Sequence, residues 1–481
     1  MDKMRIKKQI FTHIPVYSGD VSGAASALYE FGGITVIHDP SGCNSTYNTF
    51  DELRWTKRES AIYISGLRES DAIHGNDQRL IDDTCDAVAA LSKKPKFIAV
   101  CNSPVPDIIG TDFTAICHIL EEKTGIPAFY IQTNAMHDYT VGGANAFLAI
   151  AEKFLDGDGT ELKNPGIQKY SYSSILNSSN SGNQKTNAAI SHEMIIDNSC
   201  QEDTRLSVNL LGLSPFEYPS DKQVDSLYDI LENAGFSIAA NWGRGTAAHP
   251  VNFSDVKAAA SADVSLVLSS LGLKAAQFLY EHLGIPYVIG NPLVSDEFAS
   301  IVFKDLKALE VKNSYLDYLG NSSEISSQAD AVGSNNSVTS SVNSAASRSS
   351  VTAFVGEPVT MGSEAAALKL SSPETSVSLI CTTELTDSLV STAKPTNSPA
   401  STTELTSSPS STTVKSDPLI LCPRGEAEIS EELKKAAVIH GDPLFRNAYS
   451  HGTPGFDSSH QTWIEEPHLA MSGRLFADKL I

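Results

Sequence analysis

The sequence predicts an α/β protein of three Rossmann-like units, each with a parallel β-sheet, arranged around a central cleft. Short β-branched apolar runs alternate with segments of helical length in three stretches of the chain, which is the pattern of buried strands and their covering helices. Tracts of Ser, Asn and Thr separate or interrupt these stretches and hold too few apolar side chains to offset the entropy of ordering them. We therefore expect three folded domains with Ser/Thr/Asn-rich disordered inserts.

These changes in composition give the domain boundaries. The predicted order is an α/β domain at 1–168, a low-complexity insert at 169–195, an α/β domain at 196–317, a second insert at 318–350 and a third α/β domain at 351–481. A Ser/Thr/Pro-rich insert at 386–416 interrupts the third domain.

The first domain has the clearest alternation. Its predicted strands are 34–37, 61–65, 96–101 and 128–131, and its predicted helices are 22–31, 77–91, 112–122 and 144–154. The strand at 34–37 stops at Asp39-Pro40-Ser41-Gly42, and Cys43 follows. Open α/β sheets bind ligands at the carboxyl ends of their strands, and amide donors at a helix start favour an ionised thiol. Cys43 is therefore a candidate metal ligand, and the alternative is a small packing residue.

The second and third domains repeat this pattern. The second domain has predicted strands at 206–211, 237–240, 264–268 and 286–289, with predicted helices at 220–233 and 273–282. The third domain has predicted strands at 352–357, 377–381, 419–421 and 437–439, with predicted helices at 361–370 and 429–436. We interpret residues 440–443 as a loop and Gly243-Arg244-Gly245 as a turn.

Charge and composition argue against several functional classes. The net charge of −22 disfavours nucleic acid and anionic membrane surfaces as partners, because both need clustered Lys and Arg. No apolar run is long enough to span a bilayer, and the first residues lack the apolar core of a signal peptide, so we expect a cytoplasmic protein.

The sequence lacks the cysteine motifs of disulfide frameworks and zinc fingers, and it lacks the glycine-rich motifs of nucleotide binding. The 7 cysteines are scattered without Cys-x-x-Cys pairs, which argues against a disulfide framework and a zinc finger. No phosphate-binding G-x-x-x-x-G-K-[ST] loop is present, and no G-x-G-x-x-G follows a strand, so we expect neither ATP hydrolysis nor the usual mode of dinucleotide binding.

Six stretches in order along the chain carry a resemblance to a known family. Ser22-Gly23-Ala24-Ala25 is similar to a Gly-Ala helix start, and residues 37–43 are similar to the motif His-x-x-x-Gly-Cys. Residues 66–75 are similar to Glu-Asp-x-x-x-x-Gly, and residues 107–112 to Glu-x-x-Gly-Asp-Asp. Residues 279–286 are similar to Leu-x-x-x-x-Gly-Ile-Pro, and residues 467–475 to Pro-His-x-x-x-Ser-Gly-Arg-Leu. Through them the chain resembles nitrogenase component 1, the family of the molybdenum–iron protein subunits, their assembly scaffolds and the related tetrapyrrole reductases. The resemblance implies three Rossmann-like domains around a cleft.

The chain departs from this family at its cluster cysteines. The resemblance places the first cluster cysteine at Gly19, beside Ser18, and the third at Pro104, three residues after Cys101. Only Cys43 keeps its place. This implies a single four-iron (4Fe-4S) iron–sulfur cluster shared between subunits, in place of the larger nitrogenase cluster. No Cys lies at 268–270, so we expect no molybdenum–iron cofactor and no nitrogen fixation proper.

The resemblance also suggests roles for individual residues. Cys43 is the expected metal ligand, and Cys101 is either a second ligand or a core thiol. Ser18 is an oxygen ligand or part of a helix-start turn. His38 and Asp39, with Gly42 in the same turn, either hydrogen-bond near the cluster or simply fix the turn. His468 is a candidate proton donor to a substrate. Asp107 either caps the following helix or contacts the cluster region.

Three functional hypotheses follow. In the first, the chain is a component 1-like subunit of a two-component reductase that accepts electrons from a nitrogenase iron protein-like ATPase through the cluster. It would assemble with itself or with a paralogous component 1 chain as a dimer or an α₂β₂ oligomer. In the second, the chain is a non-enzymatic scaffold for metal-cluster assembly. In the third, it is a solute-binding protein without a cluster.

Overall fold

The computed structural model contains three parallel sheets with helices packed against them. It describes residues 18–40, 52–56, 58, 60–155, 205–320, 351–383, 419–421, 423, 426–446 and 461–466. The predicted inserts at 169–195 and 386–416 lie outside these described residues, as does the insert at 318–350 after its first three residues. Residues 318–320 are helical and Leu319 is buried, so the predicted start of that insert is wrong. The α/β prediction with three parallel sheets is confirmed. No helix in the described part of the chain is both long and apolar enough to cross a membrane.

The first unit follows the predicted alternation. In chain order its elements are α1 (Asp20–Leu28), β1 (Ile34–Ile37), β2 (Ile62–Ile64), α2 (Glu69–His74), α3 (Asp77–Ala90), β3 (Ile98–Cys101), α4 (Pro104–Ile109), α5 (Phe113–Thr124), β4 (Ala128–Ile131) and α6 (Tyr139–Leu155). The strands pair in parallel in the order β2-β1-β3-β4. The helix predicted at 22–31 begins two residues earlier, and after α1 a 3₁₀ turn runs to Phe31, where Gly32 ends it with a φ of 73°.

Alternate side chains of the central strands face two apolar layers. Val36 and Val100 pack in the layer formed with α3 and α5, whereas Ile37 and Cys101 face the layer that includes α1 and α6. Both faces of this sheet are therefore covered, as expected of a parallel sheet whose strands read as continuous apolar runs.

Two glycines let α1 and α6 pack backbone against backbone. A Cβ atom at Gly23 would lie 2.0 Å from the carbonyl oxygen of Tyr139, and one at Gly142 would lie 1.8 Å from that of Asp20. No larger residue fits at either position without separating the helices, so the small residues at the start of α1 have a packing function.

The second unit extends further than the sequence pattern indicates. Its elements are β5 (Leu206–Leu213), α7 (Asp221–Asn233), β6 (Phe236–Gly243), α8 (Ser254–Ala258), β7 (Val264–Val267), α9 (Leu273–Leu283), β8 (Tyr287–Ile289), α10 (Asp296–Ala308) and β9 (Lys312–Asn313), with strand order β6-β5-β7-β8-β9. A capping box between Ser220 and Gln223 starts α7. The apolar pattern of the sequence does not predict α10, although Ser295 caps it ahead of the acidic residues Asp296 and Glu297.

The third unit has the strand order β12-β11-β10-β13-β14. Its elements are β10 (Val351–Gly356), α11 (Pro358–Ser371), β11 (Ser376–Cys381), β12 (Leu419–Leu421), α12 (Glu426–Leu433), β13 (Ala436–Gly441) and β14 (Thr462–Glu465). The loop predicted at 440–443 is wrong at its first two residues, because His440 and Gly441 pair with Phe354 and Val355 and so extend β13.

One continuous apolar core joins the three units. The Phe31 and Phe147 rings of the first unit lie 6.1 and 5.9 Å from the Trp242 ring of the second, measured between centroids. The amide of Ser270 in the second unit donates to the Glu357 carboxylate in the third at 2.9 Å. The fully buried Glu357 therefore contributes a polar contact across the interface between these two units.

Candidate functional site

The candidate site is the carboxyl edge of the first sheet, where buried polar residues follow all four strands. Ser65 comes after β2, His38 after β1, Asn102 after β3 and Thr133 after β4. All four residues are buried. We call this arrangement the carboxyl edge, and the chain enters residues 41–51 directly from it.

Hydrogen bonds connect the strand ends to one another. The Ser103 hydroxyl donates to the carbonyl oxygen of His38 at 2.8 Å, and the Thr133 hydroxyl donates to the carbonyl oxygen of Asn102 at 2.8 Å. The His38 amide donates to the carbonyl oxygen of Cys101 at 3.0 Å. These bonds satisfy backbone groups that the sheet leaves open at its end, so the carboxyl edge has a fixed geometry.

His38 is held as a neutral imidazole. Its Nδ1 lies 2.7 Å from the Ser65 hydroxyl oxygen, and its ring makes an edge contact with Phe113. Burial lowers the pKa of His38 from 6.5 to about 4. At neutral pH this side chain therefore carries no charge and can serve as a hydrogen-bonding group.

Asp39 is the last acidic residue before the undescribed segment. Burial raises the pKa of its carboxyl group, and a hydrogen bond from Ser103 partly opposes that shift. Its carbonyl oxygen accepts a hydrogen bond from the Leu67 amide at 2.9 Å. The backbone at Asp39 is thereby tied to the segment that follows β2.

Cys101 ends β3 directly beside Ile37, but its thiol faces the apolar layer that includes α1 and α6. The residue is fully buried, and burial raises the pKa of the thiol to about 12, with the Asp20 carboxylate adding to the effect. A protonated thiol in an apolar layer is typical of a core residue. This environment favours the packing interpretation of Cys101 over the ligand interpretation.

Ser18 precedes α1, whose start is fixed at the same carboxyl edge. The Asp20 amide donates to the carbonyl oxygen of His137 at 3.0 Å, and the Asp20 carboxylate accepts the amides of Asn134 and Ala135 just after β4. Burial raises the pKa of this carboxyl group, and the amide donors oppose that shift. The sequence analysis did not single out Asp20, since an acidic residue in a first helical turn is common.

Asp107 does not cap the helix that follows it, so that interpretation is wrong. It lies inside α4 and accepts a hydrogen bond from the Asn102 side chain at 3.1 Å. The cap of α5 is Asp112, whose side chain accepts the Ala115 amide at 3.0 Å. Asp107 instead links α4 to the end of β3.

The structure therefore brings part of the predicted site together. Ser18, His38, Asp39 and Cys101 come from three segments that meet at the carboxyl edge. Cys43, Gly42 and His468 lie outside the described residues. Within the described part of the chain, three metal-binding side chains come within ligand spacing only in the third unit, at Glu364, His440 and Glu466.

A second feature that sequence reasoning missed is a cavity of about 510 Å³ between the first and second units. Its charged lining residues are Glu30, Arg54, Arg58, Asp221, Lys222 and Arg244.

Arg54 is buried and pairs with Glu30 at 3.0 Å and with Glu52 at 2.9 Å. Arg244 belongs to the predicted turn, yet it is buried, bonds to Asp221 and donates to the carbonyl oxygen of Tyr218 at 2.8 Å. Each of these arginines forms its ion pairs within its own unit, Arg54 in the first and Arg244 in the second.

Comparison with known proteins identifies the family. A model of the family described as nitrogenase component 1 type oxidoreductase matches residues 20–302, more than half of the chain. The chain belongs to the nitrogenase component 1 family. The match includes the whole carboxyl edge of the first sheet and runs to α10 in the second unit.

Two curated relatives match over shorter lengths. The component 1 chain is 29% identical over 136 residues to the nitrogenase iron-molybdenum cofactor biosynthesis protein NifE of Clostridium pasteurianum, covering 27% of this chain and 29% of that protein. It is 29% identical over 126 residues to the nitrogenase molybdenum-iron protein beta chain of Bradyrhizobium diazoefficiens, covering 25% of this chain and 24% of that protein. The aligned regions thus span about a quarter of each curated relative.

Solved structures of nitrogenase Cp1 are also similar to this chain, at 14% identity. The structure at pH 6.5 has a TM-score of 0.43 and covers 78% of this chain and 64% of its own. The structure at pH 5 has a TM-score of 0.46 and covers 90% of this chain and 81% of its own.

Proposed function

We propose that this component 1 chain is a subunit of a nitrogenase-like two-component reductase. It accepts electrons from an iron protein-like ATPase through an iron–sulfur cluster held near Cys43, and it reduces a substrate other than dinitrogen. It works as a homodimer, or with a paralogous component 1 chain in an α₂β₂ assembly, because one chain supplies too few cluster ligands. Its expected compartment is the cytoplasm.

The carboxyl edge is the observation that supports this proposal. Pro40 is the last described residue at the end of β1, and Cys43 follows it by three peptide units. With about 3.8 Å between consecutive Cα atoms, the chain cannot carry Cys43 more than about 11 Å from Pro40. A thiolate offered within that radius of a buried polar sheet edge suits a metal centre at the ligand-binding end of an α/β sheet.

The described residues do not by themselves complete an iron–sulfur site. Cys101 is a buried protonated thiol, and no three metal-binding side chains of the described carboxyl edge lie at ligand spacing. This favours a cluster that takes Cys43 from each of two chains, or Cys43 with residues of a paralogous chain. When bound, such a cluster would supply a one-electron carrier.

The residues of the carboxyl edge would surround that group, and the His38 side chain would add no charge to it. The hydrogen bond to Ser65 fixes the orientation of the His38 ring. Because His38 is neutral at physiological pH, it would neither repel nor attract an electron carrier strongly. Asp39, tied to Ser103 and Leu67, fixes the backbone from which the Cys43 segment starts. Ser18 and Gly42 complete this surrounding in the proposal, and His468 is the proposed proton donor to the substrate.

One relative favours a second candidate function. NifE is described as a cofactor biosynthesis protein, and its similarity to this chain fits a scaffold on which a metal cluster is built or held. The loss of two of the three expected cluster cysteines fits that role as well. The scaffold would bind the same cluster at the same carboxyl edge without turning over a substrate.

Electron transfer from the ATPase separates the two candidates. The full chain is purified without oxygen and mixed with a pre-reduced iron protein-like ATPase from the same organism, with and without MgATP, while the cluster is followed by electron paramagnetic resonance. A reductase subunit gives an ATP-dependent reduction of the cluster. A cluster signal that ATP never changes supports the scaffold. The absence of any iron chromophore contradicts both and leaves the solute-binding hypothesis.

A further inference from the structure

A second group of metal-binding side chains lies in the third unit. Glu364 projects from α11, His440 lies on β13, and Glu466 follows β14. One ligand atom from each residue lies within 4.8 Å of the other two. The three residues are separate in the chain, and the packing of α11 against the sheet brings them together.

The backbone at two of these positions is fixed by the sheet. His440 pairs with Phe354 of β10 on one side and with Ile464 of β14 on the other. Its imidazole stacks on the Phe354 ring with centroids 4.4 Å apart. The Glu466 amide donates to the carbonyl oxygen of Gly441 at 3.0 Å. Ligands on fixed backbone lose little conformational entropy when they bind an ion.

The hydrogen bonding of Glu466 is incomplete. Its Oε1 lies 2.8 Å from Nδ1 of His440, but its Oε2 is buried and has no hydrogen-bond partner among the described residues. A carboxylate oxygen of Glu364 lies within 4.8 Å of one of Glu466. Two ionised carboxylates are both acceptors, so a proton or a cation has to lie between them.

The described residues supply one basic side chain beside these carboxylates, the imidazole of His440. No Lys or Arg of the described residues forms an ion pair with Glu364 or Glu466. The adjacent Glu465 turns away and pairs with Arg446 at 2.9 Å. One imidazole can balance at most one of the two carboxylates, so a bound ion or a shared proton is left to balance the other.

We infer that Glu364, His440 and Glu466 form a binding site for a single divalent first-row transition-metal ion. The ligand set of two carboxylates and one imidazole suits manganese, iron or zinc better than magnesium or calcium, which prefer oxygen ligands alone. Neighbouring ligands that each lie about 2.1 Å from one ion are about 3.0 Å apart in an octahedral site and about 3.4 Å apart in a tetrahedral one. Nδ1 and Oε1, now 2.8 Å apart, would need to separate only slightly to bind one ion. A dipositive ion neutralises the two carboxylates and ties α11 to β13 and β14.

This site is independent of the proposed cluster. It uses oxygen and nitrogen ligands of the third unit and needs neither Cys43 nor a second chain. Its test therefore uses Mn²⁺, because manganese binds thiolate ligands poorly and is visible by electron paramagnetic resonance.

The experiment titrates the chelator-treated full chain with Mn²⁺ and measures the free ion by its resonance signal. We expect one tightly bound equivalent in the wild type, and a loss of affinity of about tenfold or more in each of Glu364→Gln, His440→Asn and Glu466→Gln. Glu465→Gln is the matched control and keeps the wild-type affinity, because its side chain pairs with Arg446.

Two further readouts keep the test decisive if a variant folds poorly. Pulsed resonance of Mn²⁺ bound to the wild type should show modulation from one imidazole nitrogen, and Mn²⁺ should raise the thermal unfolding midpoint of the wild type but not of Glu364→Gln. A wild type that binds no Mn²⁺, bound Mn²⁺ without nitrogen modulation, or unchanged affinity in all three variants would overturn the inference and leave a shared proton between the carboxylates.

Discussion

At the residue scale, Glu357 shows how a buried carboxyl group joins two units. It caps α11 through the amides of Val359 and Thr360, and it accepts the Ser270 amide of the second unit. Burial, with the Glu217 carboxylate nearby, raises the pKa of Glu357 from 4.5 to about 7 in spite of these donors. Near neutral pH the group is thus divided between its neutral and ionised forms.

This raised pKa predicts a pH-dependent stability. The protonated form is favoured in the folded chain, so the contribution of Glu357 is fully present below about pH 4.5 and is lost as the pH rises through about 7. The loss amounts to roughly 3 kcal/mol for a shift of this size. Glu357→Gln should be less stable than the wild type at low pH, because an amide has a single acceptor oxygen, but its unfolding midpoint should fall less between these pH values.

Thermal unfolding followed by circular dichroism across this pH range checks the prediction. Glu374→Gln, at an exposed position of the same unit, is the control and should keep the wild-type profile. A Glu357→Gln profile with the same slope as the wild type would show that another group titrates.

The sequence could suggest some residues of the site but not their environments. His38 and Asp39 stand out because they follow an apolar run and precede Pro40, which marks a strand end. The sequence does not show which side of the sheet Cys101 faces. It therefore left open whether the thiol binds a ligand or packs in the core. No local sequence pattern marks Glu364 or Glu466 as possible metal ligands, because only the tertiary fold brings their side chains near one another and near His440.

At the scale of single elements, periodicity located most strands well and most helix ends less well. The predicted strand at 34–37 is β1, with the same bounds. The helix predicted at 22–31 begins at Asp20, because its start depends on contacts with His137 and with the residues after β4, which are distant in the chain. The end of β13 was missed because His-Gly-Asp-Pro reads locally as a turn.

The close approach of α1 and α6 predicts a strong effect of a single methyl group. Gly142→Ala would place a Cβ 1.8 Å from the Asp20 carbonyl oxygen, and both groups belong to helix backbones that cannot rotate away. We expect a loss of about 3 kcal/mol or more in the free energy of unfolding, in the upper range for overpacking. Because α1 begins at the carboxyl edge, the same change should disturb the residues around the proposed cluster.

Chemical denaturation of the purified variant measures this loss. Gly320→Ala is the control, since a Cβ there meets nothing within 4 Å. Equal midpoints for the two variants would contradict the backbone contact between α1 and α6.

At the scale of the whole molecule, the family membership and the three sheets agree with what the sequence predicts. Alternating strands and helices require parallel sheets, so the architecture of each unit follows from the pattern of apolar residues. The shared core and the contact of Ser270 with Glu357 do not follow from it, because periodicity specifies which face of an element is buried and not which unit covers it.

We propose that Cys43 holds an iron–sulfur cluster at the carboxyl edge of the first sheet. Iron and acid-labile sulfide in the anaerobically purified full chain, compared between wild type, Cys43→Ala and Cys101→Ala, test it most directly. Two chains that share one four-iron cluster give about two iron and two sulfide per chain. We predict that Cys43→Ala loses both and that Cys101→Ala keeps both. Iron and sulfide retained in Cys43→Ala, or absent from the wild type, would contradict it.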